Sequence, residues 1–205
     1  GDEAGTAITT GDGNVAVGYQ ALATEDANGT NTAIGYQSLQ TLNAGADSYN
    51  TAVGYQAGND ITTGIQNTLI GALAGDALTV AESNVAVGTG ALGSETKGSR
   101  NIAIGENALL AQNNTTASSP YNVAIGYNSG KGVTTGIENV LIGGLAGDAL
   151  TDADNNLAIG QNALGADTLG SRAVAIGPYT LAAQNFTTAT NNYNVAVGYA
   201  AGNDI

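Results

Sequence analysis

Any chemistry in this chain has to come from carboxylates, amides and phenols. Its 205 residues include 17 Asp and Glu, four Lys and Arg and nine Tyr, with neither His nor Cys. A His-based triad, a His metal site and a thiolate centre are therefore out of reach. Carboxylate pairs remain, because two acidic side chains can divide the acid and base roles of glycoside cleavage. The candidates are Glu25 with Asp26 and Asp152 with Asp154. All lie in polar turn-like stretches, where a solvated charge is the ordinary explanation. The chain therefore reads as no enzyme, with no catalytic residue, cofactor or metal. Asp60, Asp76, Asp148 and Asp204 could face calcium, but the Gly-Gly-x-Gly-x-Asp phrase of calcium-binding rolls is missing. Asp76 and Asp148, each in Gly-Asp-Ala-Leu, read as turn caps. A net charge of −13 repels phosphate backbones and anionic lipid, which argues against nucleic acid as a partner. No apolar run approaches the ~18 residues that cross a bilayer, so no direct membrane insertion of this segment is expected.

What positions these groups is one recurring phrase, Asn14-Val15-Ala16-Val17-Gly18. Its first residue returns as Asn31, Asn50, Asn67, Asn84, Asn101, Asn122, Asn139, Asn156 and Asn194, with Ala173 standing in once. Its last residue returns without exception as Gly35, Gly54, Gly71, Gly88, Gly105, Gly126, Gly143, Gly160, Gly177 and Gly198. Spacings of 17, 19, 17, 17, 17, 21, 17, 17, 17 and 21 residues mark a solenoid. Stepping back from Gly18 to Gly1 gives about twelve coils. With 31 Gly, one Phe and no Trp or Met, the composition suits thin coils that touch only their neighbours. The reading is all-β: a single repeat segment over residues 1–205, an ordered part of a longer polypeptide.

Within a coil, position two is Val, Thr, Ile or Leu, position three is Ala or Leu, and position four is always Val or Ile. Such residues favour a short strand. Alternation sends positions two and four to one face and position three to the other. Both faces are apolar, so the strand wants cover on two sides, and a thin coil can supply only one. The Gly breaks the strand where the backbone bends or comes too close to its neighbour for a Cβ. Three residues later the side chain is always small, then Leu or Gly follows, which predicts a second strand packed on the first. The remainder is polar turn. Two strands and two bends make one turn of a flattened roll, and twelve turns would stack to roughly 55–60 Å. The Asn column reads as a hydrogen-bonded ladder up the stack, with a row of ligand sites as the alternative.

A longer period lies over the first. Residues 54–125 and 126–197 form two 72-residue super-repeats, and Ile61–Thr79 matches Val133–Thr151 almost residue for residue. The coils are longest around Gln40–Ser48, Gln112–Pro120 and Gln184–Asn192. Insertions in a solenoid become loops, often on the binding face. Asn43, Asp47, Asn114, Thr115, Thr116, Phe186, Thr187 and Thr188 are thus the candidate contact residues. Tyr49, Tyr121 and Tyr193, 72 apart, are expected to pack under these loops and shield the roll. Arg100 and Arg172 each precede a strand phrase and read as partners for an ion pair with a neighbouring coil or chain. An ice-binding face is disfavoured, because Thr clusters at Thr62-Thr63 and Thr134-Thr135 instead of recurring in every coil.

The phrases Asn-Val-Ala-Val-Gly-Tyr, Asn-Thr-Ala-Ile-Gly-Tyr and Asn-Ile-Ala-Ile-Gly, each leading to a small residue, resemble the head repeat of trimeric autotransporter adhesins. The same kind of repeat occurs in phage tail-fibre and receptor-binding fibre proteins. The resemblance spans essentially the whole chain, though these coils are longer than the usual adhesin repeat. It implies a left-handed parallel β-roll, a homotrimeric rod, and attachment to a host cell-surface glycan or protein rather than catalysis. The expected setting is a virion surface, with the outer surface of a bacterium as the alternative. A passive spacer with binding done elsewhere, or a polysaccharide-degrading tailspike, are the competing functions.

Overall fold

The computed structural model describes residues 1–27 and 29–204. Asn28 and Ile205 lie outside the described residues. Positions two to four of every phrase form a three-residue strand. The first six are Val15–Val17, Thr32–Ile34, Thr51–Val53, Thr68–Ile70, Val85–Val87 and Ile102–Ile104. Val123–Ile125, Val140–Ile142, Leu157–Ile159, Val174–Ile176 and Val195–Val197 complete the set. They stack in chain order as one parallel sheet of eleven strands. Like positions pair with like, Ala86 with Leu69 on one side and Ala103 on the other. The chain is an all-β parallel solenoid, and no helix occurs among the described residues. Eleven coils carry a strand, one fewer than the sequence count. Residues 1–13 add only a partial coil, held by Gly5 N–H donating to the Ala21 carbonyl at 2.9 Å.

Alternation places the middle strand residue inside. Ala33, Ala52, Leu69, Ala86, Ala103, Ala124, Leu141, Ala158 and Ala175 are fully buried, and positions two and four face outward. The small residues three past each Gly are buried in the same continuous core, among them Ala57, Ala74, Ala91 and Ala108. Where that residue carries a hydroxyl, it bonds to backbone: Ser129 Oγ donates to the Leu141 carbonyl at 2.8 Å. The glycine between these two walls is fixed by sterics. At Gly88, φ is +135° and a Cβ would lie 2.5 Å from the carbonyl carbon and oxygen of Gly105. No L-residue fits there.

The expected second strand is absent among the described residues, and backbone conformation explains why. The residues two and four past each Gly adopt the left-handed helical region: Gln37 and Leu39 at φ 53° and 49°, Asn107 and Leu109 at 56° and 51°. Two such residues within three roll the backbone into successive turns, closed by bonds such as Leu42 N–H to Leu39 O at 3.3 Å. Coil-to-coil bonding continues through them, for example Leu39 N–H to Ala57 O at 3.1 Å. The conformation also accounts for the Leu-or-Gly rule. Glycine enters it freely, whereas Leu is strained by about 1 kcal/mol or more. Full burial of Leu22, Leu39, Leu92, Leu109, Leu164 and Leu181 offsets that, at roughly 1.5–3 kcal/mol each. Where glycine is used, other side chains fill the core. A Cβ on Gly58 would meet Leu69, Leu39 and Ile61, and one on Gly75 would meet Leu69 and Leu78. The exceptional Leu69 therefore packs into the space left between two glycine-bearing turns, and Leu141 does so between Gly130 and Gly147.

Candidate interaction face and its loops

Of the residues singled out by sequence, the asparagines are turned away from solvent. Asn31, Asn50, Asn67, Asn84, Asn101, Asn122, Asn139 and Asn156 are buried, and Asn14 and Asn194 are half-buried. Each Oδ1 from Asn14 to Asn156 accepts the backbone N–H of the equivalent residue one coil on, at 2.9–3.2 Å. The Nδ2 groups of Asn67, Asn84, Asn139 and Asn156 also donate to a carbonyl of their own coil, on Ala81, Gly98, Ala153 and Gly170. These amides close each coil and join it to the next, leaving no open side for a ligand. At Ala173 the amide is missing, and Asn194 N–H turns to Asn192 Oδ1 instead, at 3.0 Å.

The outward strand face is different. Val15, Val17, Ile34, Ile70, Ile102, Ile104, Val195 and Val197 are exposed, Val17 by 52%. With the half-buried residues at the same positions they form a mostly apolar column along all eleven strands, interrupted only by Thr32, Thr51 and Thr68. Tyrosines flank it in sequence on both sides. After the Gly, Tyr19, Tyr36 and Tyr55 stack with ring centroids 5.3 Å apart. The Tyr19 phenol is held above its ordinary pKa, first by the charge of Glu3 and then by desolvation. Before the Asn stand Tyr49, Tyr121 and Tyr193, which do not pack under the loops as expected: they are 57%, 53% and 65% exposed. The reason is again a left-handed residue. The position before every Asn has positive φ, 53° at Tyr49, 54° at Tyr121 and 53° at Tyr193. Arg172 lies over the Tyr193 ring at 5.8 Å, and the Arg100 guanidinium donates to Ser119 Oγ. Those contacts stand where an ion pair was expected.

The long coils project as ordered loops. Ser99 N–H donates to Ser118 O at 2.9 Å, and Gly170–Ser171 pairs in parallel with Thr190–Asn191. Thr115, Thr116, Thr187, Thr188, Asn43 and Asp47 are exposed on them. Asn114 and Phe186 are half-buried and serve the loop itself. Asn114 donates its backbone N–H and its Nδ2 to Glu95, at 2.9 and 2.8 Å. Phe186 N–H donates to Asp167 Oδ1 at 3.0 Å.

These two carboxylates hold the loops, and sequence reasoning missed them. Glu95 and Asp167 are fully buried. Glu95 accepts from the backbone of Thr96, Lys97 and Gly98 (2.9, 3.0 and 2.7 Å), and from Gln112 Nε2 at 2.8 Å. Asp167 accepts from Gly170 N–H and Gln184 Nε2 at 3.0 and 2.6 Å. Glu25 is fully buried at the corresponding place, so it is no member of a solvated pair with Asp26. The signal was available: an acid three residues past a left-handed Leu (Leu22, Leu92 or Leu164), one coil before each long coil. Asp152 and Asp154 accept from Thr135 Oγ1 and from the Ile137 N–H. Asp76 and Asp148 have their carboxyl pKa raised by partial burial, which Asp60 reinforces at Asp76 and Lys131 opposes at Asp148. Among the described residues no group of three or more acidic side chains converges that could hold an ion.

Comparison with protein-family models, with curated proteins and with solved structures finds no match for this chain.

Proposed function

We propose that this chain is a rod segment of a fibrous attachment protein, in which three copies pack along their apolar strand faces and present loops to a cell surface. The observation that carries the reading is the outward column of Val, Ile, Leu and Thr, present in every coil. Covering a half-exposed Val or Ile is worth about 1 kcal/mol, and an apolar strip this long marks an association surface. Three copies of each loop along one rod would gain avidity without any single tight contact. A virion tail fibre is preferred to a bacterial adhesin head because these coils are longer than the adhesin repeat.

Sedimentation of the chain tests the association: three subunits are expected, and a well-folded single subunit would end the proposal. Ile70→Lys and Ile104→Lys, both outward-facing, should dissociate the assembly while leaving coil structure intact. Shortening Gln112–Pro120 to ordinary coil length should preserve the rod and weaken attachment to host cells. Undiminished attachment would favour the passive spacer.

A further inference from the structure

The chain has four cationic side chains against 17 acidic ones, yet two of the four line a single cleft. That cleft, of about 290 Å³, lies between the enlarged loop at Ser118 and Ser119 and the two preceding coils, with Lys97 and Arg100 on its wall. Ser99, Ser118, Ser119 and Glu82 complete its polar lining. The Arg100 guanidinium is positioned by its bond to Ser119 Oγ, and Ser99 Oγ by the Glu82 N–H at 3.0 Å. Arg100 itself has φ of 63°, a left-handed conformation shared by every residue in its column. We infer that this cleft binds one carboxylate-bearing sugar residue of an acidic glycan.

The chemistry selects that class. A planar guanidinium beside an ammonium matches a carboxylate, which it can grip through two parallel bonds. Three serine hydroxyls can donate to or accept from sugar hydroxyls, and Glu82 can accept from them. An extended polyphosphate is disfavoured, because Glu82 and the chain's net charge repel closely spaced phosphates.

The super-repeat supplies an internal contrast. At the equivalent place 72 residues on, Arg172 and Ser171 persist, but Lys97 is replaced by Leu169, Val80 by Asp152 and Glu82 by Asp154. The balance there is one cation against two acids, and Arg172 lies on Tyr193. One enlarged loop is thus equipped for an acidic sugar and its duplicate is not.

The proposal gives a ligand class to the attachment reading and rests on it for the glycan. Saturation-transfer NMR titration of the intact chain with glucuronate, and separately with glucose, tests it. Glucuronate should bind, glucose about tenfold or more weakly, and added salt should weaken glucuronate. Lys97→Leu and Arg100→Ser should each weaken glucuronate about tenfold or more. Both should fold, since Leu169 and Ser83 occupy the same columns. Arg172→Ser should leave binding unchanged. Absent glucuronate binding, equal binding of glucose, or insensitivity to Lys97→Leu and Arg100→Ser each overturns the proposal. Cell attachment without glucuronate binding leaves the attachment reading standing and removes only this site. Glucuronate binding without cell attachment upholds the site and removes that reading.

Discussion

Asn84→Ala isolates what one rung of the internal amide column contributes. Asn84 is fully buried. Its Oδ1 accepts from Asn101 N–H and Nδ2 at 2.9 and 3.2 Å, and its Nδ2 donates to Gly98 O and Asn67 Oδ1 at 3.0 and 3.3 Å. Truncation strands two backbone groups, the Asn101 N–H and the Gly98 carbonyl, in a site closed to solvent. At about 1–3 kcal/mol per stranded group, the expected loss is roughly 2–6 kcal/mol. A water entering the vacated space would hold it to the lower figure. Coil stability is a nearest-neighbour property, so the loss should concentrate in the coils on either side. Amide exchange therefore reads it best: the Asn101 N–H and the strand Ile102–Ile104 should lose protection, with Val195–Val197 untouched. Ala173→Asn is the converse test. It adds an acceptor where Asn194 N–H already has Asn192, so its gain should stay below about 1 kcal/mol. Unchanged protection at Asn101 after Asn84→Ala would show that the amide column is incidental to stacking.

Three further outcomes follow from the same geometry. Gly88→Ala places a methyl within 2.5 Å of the Gly105 carbonyl, and should cost about 3 kcal/mol or more in a denaturation midpoint. Asp148→Asn should stabilise the chain at neutral pH. A folded-state pKa raised by burial makes ionisation disfavour folding, so that stability falls as pH rises through the carboxylate range. The gain from Asp148→Asn should vanish in acid, where both states are protonated, and a gain that persisted there would refute the assignment. Glu95→Leu should release the loop from Asn113 to Ser119, read as rapid exchange at Asn114 N–H and Ser99 N–H while the Val85–Val87 strand stays protected.

The strands, their register and their inward Ala were legible because a period-two pattern and a fixed spacing leave one consistent stacking. The second wall was misread for a specific reason. A small residue followed by Leu looks like strand, and nothing in the letter Leu declares φ near +50°. The hint lay in the alternation of Leu with Gly at that one position, since Gly is what a left-handed site accepts most readily. Leu73 and Leu145 obscured it further by taking the same conformation two residues past Gly. The exposure of Tyr49, Tyr121 and Tyr193 was hidden in the same way, because the position before Asn holds Thr, Gln, Ser, Arg, Glu and Tyr alike. At the loops, length pointed to the exposed tips and gave no sign that Asn114 turns inward.

The buried acids explain why the loops occur where they do. In ordinary coils the residue three past the left-handed position is apolar, as at Ile61, Leu78, Val133 and Leu150, and fills the core. An enlarged coil cannot keep every backbone group paired with a smaller neighbour. Its successor is bonded at the ends of the loop, Asn113 N–H to Thr134 O at 3.0 Å and Glu138 N–H to Pro120 O at 2.7 Å. The intervening N–H groups need acceptors, and a carboxylate has room for several. Glu95 and Asp167 of the preceding coil each take one of them, from Asn114 and Phe186, while Gln112 and Gln184 bridge each carboxylate to the next asparagine, Asn122 at 2.9 Å and Asn194 at 2.7 Å. In the two longest coils the acid, the glutamine and the extra residues are one device, whereas the coil after Glu25 keeps an apolar Leu42 where the others have glutamine. A loop can therefore be enlarged on this solenoid only where the coil before it gives up an apolar core residue for a carboxylate, and its tip is then free to vary without disturbing the stack.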